Sequence, residues 1–375
     1  MKIKVLILNF FLLLSTAVFC QNLPLSTDAK VSILTCEKGS ELYSLYGHTA
    51  LRISDPNLNL DIIFNYGAFD FSTPNFYLKF IKGDLQYFVT TNQYADFLEQ
   101  YTFENRAVYE QELLLSDLQK QQLLNNLTAS LLTDDRFYTY KYIDRNCTTM
   151  VMDKVNEILQ DHKIPTKQVT KLSYREILYG YQKNLFFENL GINIIFGTLV
   201  DHIGSQIFLP KDLLLALNQQ PLVSKKAILL NNVIQTETST SSWNTLYFFG
   251  GLMLLLTFFS QKRIVLLTFL IVMGLMGLFF SIVGLYSFHK EVLWNYNVML
   301  FNPLFLILAI FIIRKRDNLA LKLAVFCLVI LLVYTLYVAT KIHLIIVLPI
   351  IIPTFFVLLK IAFKKRKIMP IINGF

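Results

Sequence analysis

Cys147 opens the run CTTMVMDKVNEILQ (147–160), whose apolar residues recur at helical spacing. A cysteine at a helix start meets unpaired backbone N–H groups and the positive end of the helix dipole, and both stabilise a thiolate. The same N–H groups can hold the oxyanion of a tetrahedral intermediate. Arg145 and Asn146 precede the cysteine and place a cation and an amide beside it. His48 stands at the head of the alternating run 49–54 in YGHTALRI. A histidine on the edge of a sheet packed against such a helix is the usual base for a thiol nucleophile. Together they would suit covalent chemistry on a carbonyl carbon, through a thioester. Each residue also has a structural reading, as a half-buried strand histidine, a helix-capping cysteine or half of a Cys36–Cys147 disulfide. His162, in a turn before Pro165, and His202, on the amphipathic stretch 184–215, suit a base less well.

The elements that must hold this pair are legible in part. Residues 31–35, 49–54 and 61–66 alternate as strands, and the turn cluster SDPNLN (54–59) joins the last two in a hairpin. Residues 93–103 read as a helix and 106–115 as a strand. LSDLQKQQLLNNLTASLL (115–132) reads as an amphipathic helix with Ser116 as its N-cap.

Composition divides the chain. Hydrophobic residues make up 54% and mean hydropathy is +0.48, too apolar for a wholly soluble protein of this size. Residues 28–242 hold 19 Lys and Arg against 24 Asp and Glu, a net −5. Residues 243–375 hold 13 Lys and Arg against Glu291 and Asp317 alone, a net +11. The basic balance therefore flanks membrane segments and excludes a nucleic-acid footprint. Lys2 and Lys4, the apolar VLILNFFLLL and the small-residue end of AVFC form a signal peptide over 1–20. Cys20 as a lipidated residue is the alternative. An exported domain (21–183), an amphipathic connector (184–242) and a membrane domain (243–375) follow.

Five apolar stretches are long enough to span a bilayer, near 244–260, 264–287, 293–313, 319–340 and 342–363. With the first domain exported, QKR (261–263), RKRD (314–317) and KKRK (364–367) fall on the inner side, as the positive-inside rule requires, and the C-terminus is cytoplasmic. Asn295, Asn297 and Asn302 enter the third stretch. They either bond between helices or line a polar pocket at the outer leaflet. NLFFENLGINIIFGTLVDHIGSQIFLP (184–210) either lies along the bilayer surface or packs into the exported domain.

YGHTALRI, FNYGAFDF and DRNCTTMV together resemble the exported domain of Lnb-type lipoprotein N-acyltransferases. FLP (208–210) and the polar loop HKEVLWNYN fit that family's layout. The resemblance implies an α+β, circularly permuted papain-like (NlpC-like) cysteine domain, similar in plan to lecithin:retinol acyltransferase. The bundle of five transmembrane helices follows it. It also implies Cys147 as nucleophile and His48 as base. Asn65 would orient the base, with Asp61 as second choice, and Glu41, Tyr43, Arg145 and Asn146 could line the site. His289, Asn295 and Asn297 would be polar groups at the membrane side.

The implied reaction moves a fatty acyl chain from a phospholipid, or from the lipoprotein's own diacylglycerol, onto Cys147. The α-amine of a diacylated lipoprotein's N-terminal cysteine then takes it from the thioester. No metal or nucleotide is implied, because a thioester is already activated. The partners would be diacylated lipoproteins, a phospholipid donor and the bacterial inner membrane. A membrane-tethered peptidase or amidase acting on the cell wall would use the same pair, and a non-catalytic scaffold would not need it.

Overall fold

The computed structural model describes residues 24–182, 184–231 and 242–363. The signal peptide, Cys20 and the KKRK segment lie outside the described residues. The N-terminal part is built on strands β1 (Lys30–Cys36), β2 (His48–Asp55) and β3 (Leu60–Ala68), helix α1 (Phe76–Lys82), strand β4 (Gln86–Gln93), helix α2 (Tyr94–Phe103), strand β5 (Val108–Leu113), helix α3 (Asp117–Leu132), strand β6 (Phe137–Thr139) and helix α4 (Cys147–Ile158). Helices α5 (Tyr174–Tyr181), α6 (Phe186–Ile195) and α7 (Pro210–Leu217) and strand β7 (Val223–Leu230) complete it. The sheet is antiparallel throughout, in the order β6-β4-β3-β2-β1-β5-β7.

Strand alternation sends successive side chains into two cores. Val31, Ile33, Leu51, Ile53, Phe64 and Tyr66 pack with Leu123 and Leu127 of α3 and Val151 and Val155 of α4. Leu34, Cys36, Ala50 and Ile63 pack instead with Phe97 and Tyr101 of α2. The expected hairpin is present. Asp55 accepts from Asn57 N–H at its start, and Asn59 closes it with φ 50°. Ser116 caps α3 in a reciprocal capping box with Gln119, as its position before the apolar run requires. Strands β4, β6 and β7 were not expected. β6 has three residues, too few for a periodic signal.

The C-terminal part is helical: α8 (Leu246–Phe259), α9 (Arg263–Tyr286), α10 (Leu304–Ile313), α11 (Asp317–Val338) and α12 (Leu344–Ala362). Among the described residues, four segments are long and apolar enough to cross a membrane: Arg263–Tyr286, Lys290–Ile313, Asp317–Val338 and Leu344–Ala362. The first expected span, α8, has 14 residues. At 1.5 Å per residue it is about 21 Å long, short of a roughly 30 Å hydrocarbon core. The third is broken. Two 3-10 turns, Lys290–Val292 and Tyr296–Met299, precede the ten helical residues of α10.

Irregular backbone at that depth must find its partners inside the protein. Asn295 Nδ2 donates to the carbonyls of Ile194 and Ile195, and Asn297 Nδ2 to those of Asn193 and Ile194, all at the end of α6. Asn297 Oδ1 accepts from Tyr334 of α11 at 2.8 Å. Asn302 Oδ1 accepts from Leu304 N–H at the start of α10. The asparagines therefore join elements inside the protein and do not form a pocket for lipid. Helix α6 is correspondingly drawn into the bundle, where Phe186 and Leu190 share a buried cluster with Leu270, Tyr334 and Val347. The rest of the stretch 184–210 packs on the sheet domain, with Ile207 in the core beside Val31 and Leu51 and with Phe196 and Phe208 against Ile143.

The two parts are joined along a polar seam. Arg175 and Lys341 both reach Asp201, each at 2.6 Å, tying α5 to the turn between α11 and α12. Phe288 N–H donates to Lys82 O, and Lys290 reaches Asp144 at 2.9 Å. At the opposite end of the bundle, Arg263 donates to Ile312 and Ile313 carbonyls, and Lys360 to Ser260 O. The basic turns thus gather at the end away from the sheet domain.

Candidate active site

Cys147 is the first residue of α4, and the cap that starts this helix is Asn146. Asn146 Oδ1 accepts from Thr148 N–H at 3.0 Å and Thr149 N–H at 3.2 Å. Its Nδ2 donates to the carbonyls of Tyr142 and Phe208. Asn146 is buried and fully engaged, so it builds the helix start and does not line an open site. The cap also consumes two of the N–H groups that could have held an oxyanion. The Cys147 N–H is a helix-start donor that the Asn146 cap does not take up.

His48 begins β2, and the next residue, Thr49, is pinned to α4 by a buried 3.0 Å contact between the hydroxyls of Thr49 and Thr148. That contact sets the strand end against the helix start. His48 Nε2 lies 3.1 Å from Asn65 Oδ1 on the adjacent strand. Asn65 Nδ2 in turn donates to Asn92 Oδ1 on β4 at 2.8 Å. This second bond turns the Asn65 amide so that its oxygen meets the imidazole. With Nε2–H given to Asn65, Nδ1 is left as the acceptor for the thiol.

Burial pushes the Cys147 thiol up. The hydrogen bond and charge of His48, the Thr49 N–H and the Thr148 hydroxyl outweigh it, and the net shift is below the ordinary thiol value. Thr148 Oγ1 lies 4.0 Å from Sγ. Gly47 makes the approach possible. Its φ is +84°, and a Cβ there would lie 2.6 Å from Cys36 O, so only glycine lets β1 and β2 close beside His48.

Aromatic rings wall the thiol. A Cβ on Gly67 would stand 3.8 Å from Cys147 Cβ, so β3 passes directly over it. Burial and then the neighbouring Cys147 push the Tyr138 hydroxyl well above its ordinary value, so it stays a neutral O–H donor. Tyr138 Oη is buried and has no partner among the described residues. Tyr140 stacks on Tyr87 at 4.6 Å and also senses the cysteine.

The other expected residues sit elsewhere. Glu41 caps, and Tyr43 lies within, an exposed 3-10 turn between β1 and β2. Arg145 is exposed with its guanidinium 5.5 Å from the Tyr138 ring centre, and it is not among the groups that lower the thiol. Asp61 is held by Arg52 through two bonds of 2.8 and 2.7 Å. Cys36, paired across the strands with His48, is a free buried thiol pushed up to about 12 by desolvation. It forms no disulfide with Cys147, because it packs on the α2 side of the sheet. His289 is buried against α1, its Nε2 2.9 Å from Phe80 O, and faces protein instead of lipid. Asn92 and Tyr138 carried no recognisable signal, because β4 and β6 were not legible as strands, and Thr148 was legible only as part of its helix.

Residues 24–180 match the family model described as the Lnb N-terminal periplasmic domain. No curated protein and no solved structure matches the chain. His48, Asn65 and Cys147 all fall within the matched span, so the α/β domain that holds them is similar to the Lnb N-terminal periplasmic domain, and membrane-length helices follow it.

Proposed function

We propose that the protein is a lipoprotein N-acyltransferase of the inner membrane that works through a Cys147 thioester. The observation that carries the reading is the helix-start thiol set against His48–Asn65, in a domain docked directly on membrane helices. His48 Nδ1 takes the Cys147 proton as Sγ attacks the carbonyl carbon of a phospholipid or diacylglyceryl ester. The Cys147 N–H and the Tyr138 hydroxyl would serve as donors for the oxyanion. The C–O bond breaks, the imidazolium returns its proton to the leaving alkoxide, and a lyso-lipid departs. The α-amine of the lipoprotein's N-terminal cysteine then attacks the thioester. His48 accepts the amine proton and gives it to the departing thiolate, leaving an amide and free Cys147.

A helix-start cysteine packed on an antiparallel sheet that carries its histidine supports a papain-like plan. The fivefold topology, with α8 as a short first span and a cytoplasmic C-terminus, is supported by the basic turns gathered away from the periplasmic domain. The test is mass spectrometry of a lipoprotein N-terminal peptide from cells that lack their own N-acylating enzyme. The cells would express the wild type or Cys147→Ala. An N-acyl group with the wild type alone is the expected result. A free amine in both would overturn the transferase reading. Release of cell-wall peptide in its place would favour the amidase.

A further inference from the structure

The segment after β3 runs from the nucleophile to the membrane. Gly67 passes over Cys147. Phe69, two residues on, packs on Phe71, Phe76 and Tyr87 with ring centres 4.9, 5.8 and 5.2 Å apart. Tyr87 carries this cluster back to Tyr140 beside the thiol. At its other end the segment becomes α1, whose last turn is bonded to the outer end of α9. Ser287 Oγ donates to Ile81 O at 2.8 Å, and Phe288 N–H to Lys82 O at 2.7 Å. Ile81 packs with Phe279 and Val283 of α9.

Gly83 completes the joint. Its φ is +75°, and a Cβ would lie 2.9 Å from the His289 ring. Helix α9 is long and apolar enough to cross a membrane and ends at Tyr286, which puts the bilayer boundary at that end. α1 is fixed at that boundary.

α1 and the segment that leads into it expose large apolar side chains there. Phe71, Tyr77 and Leu78 are 68%, 74% and 66% exposed. Leu285 and Phe288, also exposed, continue the same surface onto the membrane helix. Lys82 and Lys141 lie over the Phe288 ring at 5.4 and 5.5 Å, placing ammonium groups at the rim. Aromatic and aliphatic side chains beside lysines are what the headgroup–acyl boundary of a bilayer accommodates. Left in water, such a patch would be a costly exposure.

We infer that Phe71, Tyr77 and Leu78 form a ledge seated in the outer-leaflet boundary of the phospholipid bilayer, across which a lipid's acyl ester reaches Cys147. The passage to Cys147 rests on its reading as the nucleophile, whereas the seating in lipid does not.

The test places a tryptophan on the ledge of the full chain in proteoliposomes of phosphatidylethanolamine and phosphatidylglycerol. Tyr77→Trp is made in a Trp243→Phe, Trp294→Phe background, and Leu78→Trp provides an independent probe. Blue-shifted emission, quenched by lipids brominated near the top of the acyl chain and not by aqueous iodide, is expected. Water-like emission quenched by iodide would overturn the ledge, and would point to a polypeptide as its occupant. The combined Phe71→Ser, Tyr77→Ser, Leu78→Ser variant gives a second reading. Transfer from vesicle-embedded donor should fall about tenfold or more, while iodoacetamide alkylation of Cys147 keeps its rate. Unchanged transfer would sink the passage role. Quenching is read without any acyl transfer, so failure of the enzymatic reading and failure of the ledge are told apart.

Discussion

His48 Nε2 and Asn65 Oδ1 lie 3.1 Å apart across the β2–β3 pair, and Asn92 holds the asparagine in that orientation. The imidazole is thereby fixed with its other nitrogen toward a thiol whose proton is already loosened. Asn65→Ala should lower acyl transfer about tenfold, the worth of one hydrogen bond to the base. Asn92→Ala should lower it less, because the Asn65 amide becomes free to turn. Equal loss in the two variants, measured as kcat in proteoliposomes, would contradict this order.

Thiol reactivity should follow pH in a defined way. Alkylation needs the thiolate, so a thiol held below its ordinary value reaches half-maximal rate at a lower pH than a free cysteine. His48→Ala removes the largest opposing influence and leaves burial dominant, so the profile should move to higher pH. Cys36, pushed up to about 12, should stay unlabelled in the folded protein at neutral pH. Peptide mapping after iodoacetamide treatment across pH 5–10 reads all three outcomes.

Tyr138 has a buried hydroxyl with no partner among the described residues and a cysteine as neighbour. Tyr138→Phe should slow transfer roughly 10- to 100-fold if the hydroxyl stabilises the oxyanion. The alkylation profile of Cys147 should stay nearly unchanged, since alkylation forms no oxyanion. A parallel loss of both would show that the ring merely supports the thiol.

Asn146 offers four hydrogen bonds from one side chain at the start of α4. Asn146→Ala should destabilise the periplasmic domain by about 2 kcal/mol or more, from a lost cap and two orphaned carbonyls. Asn146→Asp keeps the cap and loses only the two donations, so it should fall between. Thermal unfolding of the detergent-solubilised chain, followed by circular dichroism, ranks the three.

Asn297 is fully buried and joins α6 to Tyr334. Asn297→Leu should cost about 1–3 kcal/mol by stranding the Tyr334 hydroxyl, whereas the Asn193 and Ile194 carbonyls keep Arg175 and Asn295. In Asn297→Leu with Tyr334→Phe, part of that cost should return, because the stranded partner is gone. Thermal unfolding of the single and double variants would show whether the coupling exists.

Local chemistry was enough to mark much of this protein. The apolar runs, the basic turns, the hairpin at Asp55–Asn59, the Ser116 cap and the placing of Cys147 at a helix start all depend on neighbours a few residues away. Such signals are written into periodicity, turn chemistry and charge. The tertiary structure decided the rest. Asn146 became a cap because Tyr142 and Phe208 offered carbonyls from distant segments. Asn295 and Asn297 became struts because α6 ends beside them. Cys36 and Cys147 stay apart because alternation along β1 sends Cys36 into the core under α2. The exposed aromatics of 71–78 gain a role only once α1 is seen bonded to the end of α9. In each case a side chain's role is set by the partner that long-range packing brings within about 3 Å, and that partner cannot be read from spacing along the chain.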